Sequence, residues 1–238
     1  MEKIFIAEMV GSMFLLTIGF ASVAVDLLDK SWGKGAGWLM QGMAWGVGLA
    51  LGLITASALG SQGNVNPAIT VAFVAAGLLP IADAPIYFAG QLAGGIASGV
   101  LVWLLYLPHW AATEDREKKL ACFAMAPAIR DLPKNLLAEA LSFFIFVVGV
   151  FAIGKTIFPL SPIAGAFATG LWLAAAFCST GGQIACGYGI DLGTRLAHQL
   201  LPIAGKGGSD WSYAWVTVLG PVLGAVAAAR VAHMLGLV

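Results

Sequence analysis

The feature that most limits what this chain can fold into is a polar break, Gly60-Ser61-Gln62-Gly63-Asn64-Val65-Asn66-Pro67-Ala68-Ile69-Thr70-Val71, set in otherwise apolar sequence. Pro67 lacks an N–H and has its φ preset, which suits a first helical position, and Asn66 before it is a good N-cap. The apolar run that follows predicts a short helix over residues 69–79. At ~1.5 Å per residue it reaches ~17 Å, roughly half of a ~30 Å hydrocarbon core, so it can enter a bilayer without crossing it. The N–H groups at its positive end must then lie inside protein or beside water.

The rest of the sequence supplies that surrounding. Of 238 residues 60% are hydrophobic and 10% charged, and the mean hydropathy is +0.91, so the bilayer is the expected solvent and the chain reads as a multi-pass integral membrane protein. Twelve Lys and Arg balance twelve Asp and Glu without a basic run, which gives no reason to expect a nucleic-acid partner. Cys122, Cys178 and Cys186 are too few and scattered for a disulfide framework or a zinc cluster and read as small apolar residues. His109, His198 and His233 fall at span ends or in loops, and no nucleophile or metal-ligand constellation is present, so no enzyme activity, metal or cofactor is expected. Met1-Glu2-Lys3 opens like a signal peptide, but Glu8 interrupts its apolar core and the run continues to Leu28, which reads as a retained span.

Six spans are predicted, over residues 4–28, 37–58, 81–107, 136–154, 162–178 and 211–235. A second Gly-rich break over 179–190 leads into a second half-helix over 191–201. The connecting loop 109–134 is charged, with Glu114-Asp115-Arg116-Glu117-Lys118-Lys119 at its centre. Ala7-Glu8 in the first span and Ala138-Glu139 in the fourth occupy equivalent places (139 − 8 = 131 positions). Three spans per half is an odd number, so repeat two (135–238) runs opposite to repeat one (1–108). The expected fold is therefore all-α: a single transmembrane domain of six membrane-spanning helices plus two re-entrant half-helices in an inverted repeat, with a site where they meet. Glu8 and Glu139 are ionisable residues inside spans and each needs a partner. Their shared place suggests that each accepts hydrogen bonds from a re-entrant loop and braces it.

Ala7-Glu8-Met9-Val10-Gly11-Ser12, Trp45-Gly46, Gly63-Asn64-Val65-Asn66-Pro67-Ala68-Ile69-Thr70, Gln91-Leu92-Ala93-Gly94 and Gly220-Pro221-Val222-Leu223-Gly224 resemble the aquaporin, or major intrinsic protein, family over nearly the whole chain. Ala128-Ile129-Arg130 and the stretch 200–211 are similar to its glycerol-facilitator branch. The resemblance implies a homotetramer with a pore in each protomer, two facing Asn-Pro-Ala motifs that donate to the permeant, and an aromatic/arginine constriction near the outer mouth. Onto this sequence it carries Asn66, Pro67 and Ala68 as the first motif, and Trp45 and Phe177 as constriction aromatics.

The second motif departs from the family. Where the family has Asn-Pro-Ala-Arg before Asp-aliphatic-Gly, this chain has Gly187-Tyr188-Gly189-Ile190 before Asp191-Leu192-Gly193. Anchored on Asp191, Ile190 stands in place of the arginine. Anchored on Gly187-Tyr188, Asp191 stands in place of the asparagine. Tyr188, Gly189, Ile190 and Asp191 are accordingly candidate pore residues, with Asp191 open between a helix cap turned away from the pore and a pore-facing carboxylate, and Tyr188 between a pore phenol and a packing ring. Without a guanidinium there are fewer donors for a polyol and no fixed positive charge against cations.

The expected function is passive passage of small uncharged solutes, glycerol, water or similar. The rivals are a channel for another solute, such as undissociated lactic acid, and a non-conducting structural membrane protein. The resemblance implies cytoplasmic termini in the plasma membrane, whereas the positive-inside rule points the other way, with Lys3, Lys155 and Arg230 on the terminal side and nine Lys or Arg on the other.

Overall fold

The computed structural model describes residues 1–184 and 188–238. Among them, ten α-helices follow one another without a strand: α1 Glu2–Leu27, α2 Trp38–Ala58, α3 Pro67–Ala75, α4 Ala84–Leu105, α5 Leu107–Ala112, α6 Arg116–Ala121, α7 Leu132–Thr156, α8 Pro162–Thr180, α9 Leu192–Leu200 and α10 Trp211–Met234. Six of them (α1, α2, α4 with the 3-10 turn Ile81–Asp83 ahead of it, α7, α8 and α10) are long and apolar enough to cross a membrane. α3 and α9, nine residues each, reach only about 14 Å.

Helix starts follow local chemistry. Asp115, Asp131 and Ser161 accept hydrogen bonds from N–H groups of the first turns of α6, α7 and α8, and proline stands in the first turn of α3, α4, α5, α7 and α8. α3 is shorter than the sequence suggests because Gly77, at φ +73°, turns the chain out after Ala75. The connection 109–134 is not a plain loop. It folds α5 and α6 and then buries Cys122, Phe123, Ala124 and Met125.

Packing repeats across the two halves. α1 packs on α4 as α7 packs on α10, and each half-helix crosses over: α3 packs on α10 and α9 on α4. α2 and α8 meet at the centre, where a Cβ built on Gly46 would lie 2.5 Å from the Gly170 carbonyl oxygen and one built on Gly170 would lie 2.4 Å from that of Gly46. Any side chain at either position would force the two helices apart. The crossing sets the N-terminal ends of α3 and α9 close together, with the Ala68 methyl 3.7 Å from a Cβ built on Gly189.

Candidate functional site

The half-helices border a cavity of about 520 Å³. It is lined by Trp45, Asn66, Phe177, Tyr188 and Ile190, and it reaches Leu78, Lys155 and Phe158 toward the side of the termini. Of the other candidates, Pro67, Ala68 and Gly189 lie behind this wall and line a second cavity of about 270 Å³, while Asp191 lines neither. Gly187 and Cys186 fall on residues 185–187, outside the described residues.

Asn66 is placed by its own helix. Its Oδ1 accepts from the N–H groups of Ala68 at 2.7 Å and Ile69 at 3.3 Å. With that oxygen engaged, Nδ2 is the donor left to Asn66, which lines the cavity at the positive end of α3. The loop before it hangs on Glu8. This buried carboxylate accepts from the N–H groups of Asn64 at 3.0 Å and Val65 at 2.7 Å, from Gln91 Nε2 at 2.7 Å, and from the Ser61 hydroxyl. Gln91 Nε2 also donates to Thr70 Oγ1 at 2.9 Å, tying α4 to α3. In the other repeat Glu139 is likewise fully buried, and its Oε2 accepts from the Tyr188 N–H at 3.4 Å.

At the end away from the termini the cavity is walled by rings. Trp45 and Phe177 lie with centroids 6.3 Å apart, Trp38 stacks on Phe177 at 4.2 Å, and the Trp38 indole N–H donates to the Phe177 carbonyl at 3.1 Å. Met125 and Ile190 add apolar wall to the same cavity. Tyr188 both lines the cavity and packs: its ring stacks on Phe146 at 5.5 Å, and its hydroxyl pairs with Ser142 Oγ at 2.8 Å.

Comparison with known proteins agrees with this architecture. The sequence model of the major intrinsic protein family matches residues 1–232. The chain belongs to the major intrinsic protein family. It is similar to a probable glycerol uptake facilitator protein of Thermotoga maritima, 37% identical over 98% of this chain and 99% of that protein, and to the glycerol uptake facilitator protein of Bacillus subtilis, 38% identical over 92% and 80%. Its fold is that of the aquaglyceroporin from Plasmodium falciparum, with a TM-score of 0.82 at 18% identity, covering 97% of this chain and 95% of that one. As a major intrinsic protein it is a membrane channel and not an enzyme.

Within this member of the major intrinsic protein family, Asp191 stands at the start of α9 but its side chain makes no cap hydrogen bond. Its Oδ2 instead accepts from Arg195 Nη2 at 2.6 Å and from the Met125 N–H at 3.1 Å, and its Oδ1 from Thr217 at 3.1 Å. Arg195 Nη1 also donates to the carbonyls of Ser209 and Asp210 and Nη2 to that of Met125, each 2.8 to 3.0 Å away. Both side chains are wholly buried, where an unpaired charge would be untenable. The pair therefore pins the connection, α9, the loop before α10 and α10 itself, away from the cavity. The sequence reading missed Met125 and Thr169, which both line the larger cavity, and this pair. Met125 carried a signal, an apolar run from Leu120 to Pro127 inside charged sequence. The Asp191 to Arg195 spacing of one helical turn was another.

Proposed function

We propose that this channel passes glycerol and similar small uncharged solutes, water included, by passive diffusion through a pore in each protomer of a homotetramer, with termini on the cytoplasmic side of the plasma membrane. The observation that carries the reading is a single cavity in which Asn66 and Tyr188 lie beyond an apolar wall of Trp45, Phe177, Met125 and Ile190, with no guanidinium among its described lining residues. A solute leaving water there meets rings for its carbon face and a donor at a helix N-terminus for its hydroxyls, which suits a short polyol. With Ile190 where the family has arginine, selectivity shifts toward solutes with fewer hydroxyls. The glycerol facilitators among its relatives and the Asn66-Pro67-Ala68 motif support the solute class. The family supports the tetramer and the orientation.

Stopped-flow light scattering of proteoliposomes tests the reading. Glycerol is expected to enter faster than in empty vesicles, and Ile190→Arg, which returns donors for hydroxyls, to shift the preference back toward solutes with more of them. Entry of lactic acid at low pH alone would replace glycerol by an undissociated acid. No flux of any solute from ordered tetramers would make the protein structural.

A further inference from the structure

The second cavity, about 270 Å³, lies behind the meeting point of the half-helices and is walled by Pro67, Ala68, Gly189 and Gly193 on the inside and by α4 and α10 on the outside. Its outer wall is apolar. Phe88 and Leu92 of α4 are 36% and 43% exposed, and both belong to a membrane-spanning segment, as do Val218 and Val222 of α10. α4 packs on α1 and α9, and α10 on α7 and α3, which leaves the two helices standing either side of the opening.

One acceptor lies at this wall and a second stands just beyond it. Gln91 lines the cavity and is 4% exposed. Its Nε2 is fixed against the Glu8 carboxylate, which can only accept, and so Oε1 is turned away from that group and has no partner. In α10, Pro221 has no N–H to offer the Thr217 carbonyl, four residues back, and that oxygen stands 3.7 Å from a Cβ built on Gly189. An apolar cavity of roughly 150 Å³ already binds a small apolar molecule, so this one has room for more.

We propose that this cavity is a lateral, bilayer-facing site for an aliphatic alcohol, the chain lying between α4 and α10 and the hydroxyl donating to Gln91 Oε1. An unpartnered acceptor in a largely apolar wall selects a hydroxyl over a plain hydrocarbon. Among the described residues Ile190 is the one that lines both this cavity and the pore. An occupant therefore bears on the pore wall through Ile190.

The test is photolabelling of the full protein in vesicles with a diazirine derivative of 1-octanol, with adducts mapped by mass spectrometry. Adducts are expected at Phe88, Leu92, Val218 and Val222, and Val222→Trp, which fills the chamber, is expected to reduce those at the other three roughly tenfold. Unlabelled 1-octanol is expected to compete about fivefold better than octane, the margin of one hydrogen bond. Adducts spread evenly over all lipid-facing helices, or unchanged in Val222→Trp, would overturn the site. Equal competition by octane and octanol would overturn the alcohol.

Discussion

The two re-entrant loops share a frame and differ in what they build on it. In each, a residue other than glycine takes a left-handed conformation, Val65 at φ +46° and Tyr188 at φ +49°, and presents its N–H to a buried glutamate from the first span of its repeat. Beyond that point they part. In the first loop the helix begins two residues later at Pro67, and Asn66 closes it with its own side chain. In the second, helix α9 begins four residues later at Leu192, and the side chain at its start, Asp191, is drawn off to Arg195 and Thr217. The bracing carboxylate and the turn hold the architecture, while the residues between turn and helix are free to set what the cavity wall is made of.

The strongest way to break that comparison is to remove the brace. Glu8→Leu leaves the donors of Ser61, Asn64, Val65 and Gln91 facing hydrocarbon, each unmet buried group costing ~1–3 kcal/mol. Thermal unfolding in detergent is expected to show a large loss of stability with glycerol flux abolished, and Glu8→Gln, which keeps one acceptor oxygen, a clearly smaller loss. Equal tolerance of both would refute the bracing role.

In the second loop the corresponding hold is the buried ion pair. Asp191→Asn strands Arg195 without its counter-charge, a loss of about 3–5 kcal/mol where a buried pair is broken on one side. Asp191→Asn combined with Arg195→Met is expected to cost less than the sum of the two single changes, measured as a double-mutant cycle. Strict additivity would mean that the two side chains act independently.

A smaller effect is expected at the helix start of the first loop. Asn66→Ala removes a cap worth about 1 kcal/mol, together with the amide donor in the cavity. Flux is therefore expected to fall more than stability. A variant that unfolds in proportion to its lost flux would make Asn66 a cap alone.

What could be read from sequence follows from which forces are local. Spans, caps and the first half-helix depend on runs of neighbouring residues, so Asn66 and Pro67 announce α3, and Glu8, a carboxylate in an apolar run, announces its own need for donors. The partners of Asp191 do not, because Met125, Thr217 and the carbonyls of Ser209 and Asp210 that frame the pair come together only when the connection folds down and α10 returns. The same holds for Ile190. Its type could be read as a missing arginine, but its position as a shared wall between two cavities depends on α9 crossing to α4. α5 and α6 were hidden because six-residue helices rest on tertiary contact more than on periodicity.

The smallest effect lies at the rim of the second loop, where Arg130 donates to both carboxylate oxygens of Asp210, at 3.0 and 2.8 Å, just ahead of α10. Burial pushes the Asp210 carboxyl up, but the hydrogen bonds from Arg130 and Ser212 outweigh it and hold the group below the usual carboxylate range. A carboxyl depressed in the folded state contributes stability above its unfolded value, ~3.9, and loses it as pH falls through the folded one. Stability is thus expected to be flat from neutral pH down to about pH 5 and to decline below about pH 4. Asp29 and Asp131, lowered by Lys34 and Lys134, titrate in the same window. The Arg130 contribution is therefore the difference between the native chain and Arg130→Met. The Arg130 side chain is 48% exposed, so the pair contributes no more than ~1 kcal/mol, a shift of about 2–4 °C in Tm at neutral pH that closes as the acid limb is reached. A constant offset at every pH would assign the loss to the Arg130 contact with the Tyr213 ring, 5.3 Å away, because a cation over a ring does not depend on the charge of Asp210.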